Sequence, residues 1–190
     1  MNELYIRQRI LSCRLKPKNN TLAVLGSVGI AATILILGAA TCGIINFVSG
    51  QKQQEFIANL SGSNEVPPVK TSATGTAKFT AGTDGRSLVY VLNVTNMNEV
   101  MGAHIHSAKQ GENGPVVAGL FNPGMIGPPT GKVNGVLTKG NITSSDIQGT
   151  LPGKQISDLV NLMKSHGAYV DIHTQQHQNG EIRGQIGPIS

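Results

Sequence analysis

An uninterrupted apolar segment near the amino terminus constrains this chain more than any other feature. The segment runs from Thr21 to Val48, and no charged residue occurs between Lys18 and Lys52. A helix of about 20 apolar residues spans the hydrocarbon core of a bilayer and satisfies its own backbone hydrogen bonds there. The sequence therefore predicts a single transmembrane helix over residues 21–48.

The charges that flank this segment predict its orientation. One acidic residue and five basic residues precede it, the basic ones being Arg7, Arg9, Arg14, Lys16 and Lys18. Lys52 follows the segment and is balanced by Glu55. Because basic flanks stay inside the cell, we expect residues 1–20 to be a cytoplasmic tail. Residues 49–54 are then a linker, and residues 55–190 form an extracytoplasmic domain of a single-pass cell-membrane protein.

Two alternative interpretations of the apolar segment place the domain on the same side of the membrane. A cleaved signal peptide would use Ala39-Ala40-Thr41 as its cleavage site, although its apolar core is ordinarily only 7–15 residues long. A lipoprotein would carry its lipid on Cys42. Retention or cleavage of the helix is left open by the sequence, and so is the oligomeric state.

The net charge of +5 belongs mainly to the amino-terminal tail. From Ser49 onward there are 10 basic and 9 acidic residues, so the outer domain has no strongly basic face. The chain also has no Trp, and 4% of its residues are aromatic. Together these features exclude nucleic acid as the expected partner. The membrane is the expected partner, together with other proteins of the cell envelope.

The outer domain reads as a series of short strands separated by turn residues. Alternating or apolar runs predict strands at 56–60, 75–80, 87–95, 100–106, 114–121, 132–138, 168–173 and 181–186. One helix interrupts them, since Ile156, Leu159, Val160 and Met163 recur at helical spacing, and Gly167 suits its carboxyl-terminal cap. The predicted fold is mainly β, an antiparallel sandwich or barrel with one short helix.

Two clusters of polar side chains on these strands have the chemistry of metal ligands. His104 and His106 are separated by one residue, so both lie on one face of their strand. Asp171 and His173 share a face in the same way, and His177 follows them. If the two strands are neighbours, three imidazoles and a carboxylate converge, a set that suits copper or zinc. The alternative is that these side chains only form hydrogen bonds on a polar face.

Other polar residues are given structural roles. Glu181 and Arg183 share a face of the last strand and are predicted to form an ion pair, and His166 suits the negative end of the helix dipole. No catalytic residue is predicted, because the sequence has no Ser-His-Asp elbow, phosphate loop or cysteine nucleophile pattern. Three tripeptides fit the N-glycosylation pattern, beginning at Asn59, Asn93 and Asn141.

Four segments in order resemble a known family. They are FIANLSGSNEVPP from Phe56, TSATGTAKF from Thr71, AHIHSAKQGENGPVVAGLF from Ala103 and GAYVDIHTQQHQNGEIRGQI from Gly167. The combination resembles the CHRD domain, named from chordin and found in many microbial surface and secreted proteins. The resemblance implies an extracellular β-sheet module. At one motif, the His-X-His strand is also similar to the copper-site strand of the Cu,Zn superoxide dismutases.

Three hypotheses for function follow. The first is a non-enzymatic module of the cell envelope, anchored by its helix, that acts in adhesion or protein interaction. The second is a metal-binding or redox-related protein that uses His104, His106, Asp171 and His173 to hold copper or zinc. The third is an accessory subunit of a membrane complex, with the helix as its contact.

Overall fold

A computed structural model describes residues 53–126, 131–149 and 151–189 of the chain. The predicted membrane segment, the tail before it, and Cys13 and Cys42 lie outside these residues. Within them, no helix combines the length and the apolar character needed to cross a bilayer.

The described part of the chain is mainly β-structure with one helix of more than two turns. The strands are β1 (Glu55–Ser61), β2 (Thr74–Ala81), β3 (Ser87–Asn98), β4 (Val100–Ser107), β5 (Val116–Phe121), β6 (Lys132–Thr143), β7 (Ala168–Thr174), β8 (Ile182–Gln185) and β9 (Gly187–Pro188). A single helical turn, α1 (Pro123–Ile126), follows β5, and the longer helix α2 (Ile156–Lys164) precedes β7. Three short 3-10 turns span Gly62–Asn64, Ser144–Asp146 and Pro152–Lys154. Each predicted strand is therefore present, and β6 continues to Thr143, beyond its predicted end.

All the strand pairs are antiparallel, in the order β5-β4-β7-β8-β1-β2-β3-β6, and β9 pairs with β1. The two end strands approach each other. The hydroxyl of Thr138 on β6 donates to the carbonyl of Leu120 on β5 at 3.4 Å, and Ala118 on β5 forms a bridge with Ile147 just after β6. The sheet is thus a nearly closed barrel, which confirms the predicted all-β antiparallel class.

Every second side chain along the strands points inward, and these side chains fill the inside of the barrel. Phe56, Phe79, Leu92, Ile105 and Ile172 are each almost completely buried, whereas their neighbours along the strands point away from the core. The helix α2 packs on β7 and β9 and buries the four residues that its spacing predicted. No disulfide is available to the domain, so this apolar interior carries its stability.

The end of α2 differs in detail from the prediction. His166, with φ of +52°, adopts the left-handed conformation, and Gly167 is one residue further on. The amide of Gly167 donates to the carbonyl of Leu162 at 2.8 Å, and the amide of His166 donates to that of Met163 at 3.1 Å. These two bonds form a Schellman motif. Gly167 packs close to Leu162, because a Cβ there would lie 2.7 Å from a methyl carbon of that side chain.

Candidate functional site

The two strands that carry the histidine motifs are direct neighbours. In the β4–β7 pairing, the opposed residues are Gly102 and His173, His104 and Asp171, and His106 and Tyr169. Ile105, Val170 and Ile172 have no exposed surface and point into the barrel. The polar side chains between them therefore lie together on the outer face, because successive residues of a strand alternate between faces.

Three imidazole rings converge on this outer face. One ring nitrogen from each of His104, His106 and His173 lies within 4.8 Å of the other two. Metal–nitrogen bonds of 2.0–2.1 Å place the nitrogens of a tetrahedral site about 3.4 Å apart, so ring rotations that bring the nitrogens about 1 Å closer would close the set on one ion. Among the described residues, neither Asp171 nor His177 belongs to this group.

Backbone carbonyls determine which nitrogen is free on two of the rings. His106 Nδ1 lies 2.9 Å from the carbonyl oxygen of Gly114, and His173 Nδ1 lies 3.0 Å from that of Gln178. Since a carbonyl can only accept, each Nδ1 carries a hydrogen, and in the neutral form of each ring Nε2 has the lone pair. A hydrogen bond of this kind on the far nitrogen is what orients a metal-bound histidine.

Two of the ring nitrogens are buried without a hydrogen-bond partner in the described structure. They are Nδ1 of His104 and Nε2 of His106. A buried polar atom without a partner is costly, so it calls for a ligand or ion that satisfies it. Nε2 of His106 and of His173 are therefore available to an ion, together with a nitrogen of His104.

Burial also keeps two of these rings neutral. Burial, together with the neighbouring His173 and His106, lowers the pKa of His104 to about 4. Burial lowers the pKa of His106 as well, against the opposing effect of its hydrogen bond to Gly114. Both rings are therefore unprotonated at neutral pH, which is the form that binds a metal.

A pair of buried carboxyl groups lies beside the histidines. Glu65 and Asp171 are each only 5% exposed. Burial, and then the charge of Asp171, raise the pKa of Glu65 to about 8, while burial raises the pKa of Asp171 against the attraction of His173 and His106. Two carboxyl groups in contact cannot both ionise at low cost, so the pair holds one proton at neutral pH.

A glycine makes room for this carboxyl pair. Gly180 has φ of +125°, and a Cβ there would lie 2.6 Å from Asp171 Oδ1 and 2.9 Å from Glu65 Oε2. The turn at Gln178-Asn179-Gly180 needs this glycine both for its positive φ and for the space beside the two carboxyl groups. The burial of Glu65 beside Asp171 could not be predicted from the sequence, because an acidic residue in an Asn-Glu-Val-Pro-Pro loop is expected to face solvent.

The other polar residues predicted from sequence have distinct environments. The carboxylate of Glu181 accepts from the hydroxyls of Thr71 at 2.7 Å and Thr174 at 2.6 Å. Arg183 donates instead to the loop after β4, so in the described structure the hydrogen bonds of these two side chains go to separate partners. His166 is exposed at the end of α2.

The glycosylation candidates and His177 lie apart from the three-histidine group. Asn59 and Asn141 are exposed on β1 and β6, and Asn93 is half-buried on β3. His177 is half-buried in the loop after β7, and its amide donates to Thr174 Oγ1 at 3.1 Å. Whether any asparagine carries a glycan stays a prediction.

A comparison with protein families identifies the family of this chain. The family model described as the CHRD domain matches residues 56–186, which is more than half of the chain. The chain belongs to the CHRD domain family. No curated protein matches it. The match confirms the resemblance drawn from the four sequence segments, and the three histidines, Glu65, Asp171 and Arg183 all lie within the matched part of the CHRD domain.

Proposed function

We propose that this CHRD domain binds one copper or zinc ion on His104, His106 and His173. The observation that carries the proposal is the convergence of three imidazole nitrogens within 4.8 Å. Imidazole suits both metals, and copper binds the more tightly of the two to a nitrogen site. No thiolate is part of the group, which favours a nitrogen site over a zinc–cysteine site.

The hydrogen bonding around the rings supports the same proposal. A structural zinc site normally has four protein ligands, whereas a site with three keeps a position for water or another molecule. The three rings, two of which have their tautomers fixed by backbone carbonyls, form such an open set. The ion would satisfy the two buried nitrogens that lack partners. The adhesion and complex-subunit hypotheses stay predictions, since the three-histidine group gives neither of them specific support.

The proposal is tested by metal retention in the full chain, purified in detergent. Cys13 and Cys42 are first replaced by serine, so that thiolates do not contribute metal binding. The protein is loaded with Cu(II) or Zn(II), dialysed and subjected to elemental analysis. We expect about one ion per chain after dialysis. Retention of neither metal would overturn the proposal, as would full retention when His104, His106 and His173 are all replaced by alanine.

We further propose that the apolar segment of residues 21–48 anchors the CHRD domain outside the cytoplasm. The support is the length of the segment, its lack of charge and the basic residues before it. A position outside the cytoplasm would also let the three-histidine site exchange metal ions with the medium.

Anchoring predicts how the full chain fractionates. We expect it to sediment with membranes and to stay there in alkaline carbonate, whereas a variant that lacks residues 21–48 should not. Protease added to intact cells, after any outer wall is permeabilised, should digest the CHRD domain and spare a tag placed before Glu3. Release of the intact chain by carbonate, or protection of the domain from protease, would contradict this topology.

A further inference from the structure

A buried arginine holds the loop that covers one side of the histidine group. The loop comprises residues 108–115, between β4 and β5. Arg183 on β8 is 2% exposed, and its guanidinium donates to three oxygens of this loop. Nη1 bonds to Asn113 Oδ1 at 2.9 Å, while Nη2 bonds to the carbonyls of Glu112 at 2.6 Å and Lys109 at 3.3 Å. A planar fork is suited to several acceptors at fixed angles.

The far end of the same loop sets the tautomer of His106. The carbonyl of Gly114 accepts from His106 Nδ1 at 2.9 Å, and the amide of Gly114 donates to the hydroxyl of Tyr169 at 3.2 Å. A Cβ at Gly114 would collide with the carbonyl oxygen of Ser107. Only glycine can therefore bring its carbonyl to this place, and the adjacent Asn113 is tied to Arg183.

A stack of side chains makes a second connection between Arg183 and the ligand. The guanidinium carbon of Arg183 lies 3.4 Å from the ring centre of Tyr169, the distance of a close cation–π contact. The ring of Tyr169 also stacks on that of His106, with ring centroids 4.9 Å apart and planes 16° from parallel. Rotation of the His106 ring is thus restricted by Tyr169, which the guanidinium holds in place.

We propose that Arg183 is a positioning residue for the metal ligand His106, acting through the 108–115 loop and through Tyr169. This inference rests on the proposed metal function. Arg183 keeps the Gly114 carbonyl at His106 Nδ1, so the hydrogen stays on Nδ1 and the lone pair on Nε2 is left for the metal. If the loop moved away, the hydrogen could shift to Nε2 and block that lone pair. Partners that orient a ligand in this way are worth 10–100-fold in metal affinity.

The substitution Arg183→Lys tests this role in the full chain in detergent. Lysine keeps the positive charge but has no fork with which to hold three loop oxygens. Two quantities are measured: the ¹⁵N chemical shifts of the histidine ring nitrogens in the metal-free protein, and the affinity for Zn(II) in competition with a chromophoric chelator. We expect His106 to become a mixture of tautomers and the affinity to fall by about 10–100-fold. Arg86→Lys, in the exposed turn before β3, is the matched control and should change neither quantity.

The ring-nitrogen spectra separate this inference from the metal proposal. If the wild-type chain binds no zinc, the metal proposal fails, while the tautomer of His106 in Arg183→Lys still decides whether Arg183 positions it. An unchanged tautomer in a folded Arg183→Lys overturns the inference. Should that variant not fold, Asn113→Ala removes one anchor of the loop and is expected to change the tautomer in the same direction. An unchanged His106 in Asn113→Ala would then overturn it.

Discussion

The variant His106→Ala is expected to bind copper or zinc at least about 100-fold more weakly than the wild-type chain, a loss of roughly 2.7 kcal/mol. The substitution removes one of three imidazoles and leaves two, which cannot form the same chelate. It also removes the ring whose Nε2 is buried without a partner in the described structure. Isothermal titration of the full chain in detergent, with both cysteines replaced by serine, measures the change.

Two further variants make this result specific. His173→Ala removes a half-buried imidazole near the end of β7 and should weaken binding to a similar extent while disturbing the fold less. His177→Ala removes an imidazole that lies outside the group, and the hydrogen bond of its amide to Thr174 is unaffected. We expect His177→Ala to bind metal as the wild type does. Equal losses in all three variants would mean that the metal is held elsewhere.

The variant Glu65→Gln is expected to be more stable than the wild type at alkaline pH, by on the order of 4 kcal/mol at pH 8. Burial against Asp171 raises the pKa of Glu65 from 4.5 to about 8 in the folded protein. Glutamine has nearly the same shape, can donate a hydrogen bond to Asp171 and carries no charge at any pH. It therefore removes the free-energy cost that the folded wild type has at alkaline pH, where Glu65 must either take up a proton or carry a buried charge.

The sign of the pH dependence follows from proton binding. Between about pH 4.5 and pH 8, the folded chain keeps a proton on Glu65 that the unfolded chain has lost. Stability of the wild type therefore falls as pH rises through this window. Below it, both states are protonated and the variant has no such advantage. The difference between Glu65→Gln and wild type should grow from pH 4.5 to pH 8 and then level off.

Chemical denaturation at a series of pH values checks this expectation. Glu55→Gln is the matched control, because Glu55 is an exposed carboxyl at the start of β1. It should leave the pH dependence of the free energy of unfolding unchanged. A constant difference between Glu65→Gln and the wild type across the window would show that Glu65 does not keep its proton on folding.

Most of the strands could be predicted because their pattern is local. Alternation of apolar and polar residues with period two assigns Leu88, Leu92 and Val94 to one face of β3, and these three side chains are buried. The sequence predicts the carboxyl-terminal cap of α2 at Gly167, whereas the left-handed residue in the structure is His166, one residue earlier. The sequence does not disclose that His166 adopts the left-handed conformation while Gly167 packs on Leu162.

Within the histidine group, the sequence determined which side chains share a face, because residues two apart on a strand point the same way. That rule places His104 with His106 and Asp171 with His173. It cannot say that β4 and β7 pair, since about 67 residues separate the two motifs and pairing depends on the whole strand order.

Only the tertiary structure decided the surroundings of the three histidines. Glu65 reaches Asp171 from the loop after β1, and Arg183 reaches the 108–115 loop from β8. Neither contact has a sequence signature, because charged residues are expected at the surface and become buried only when distant segments supply their partners. The apolar segment and the alternating strands were thus determined by local pattern. The convergence of the three imidazoles and the burial of Glu65 and Arg183 were determined by long-range packing.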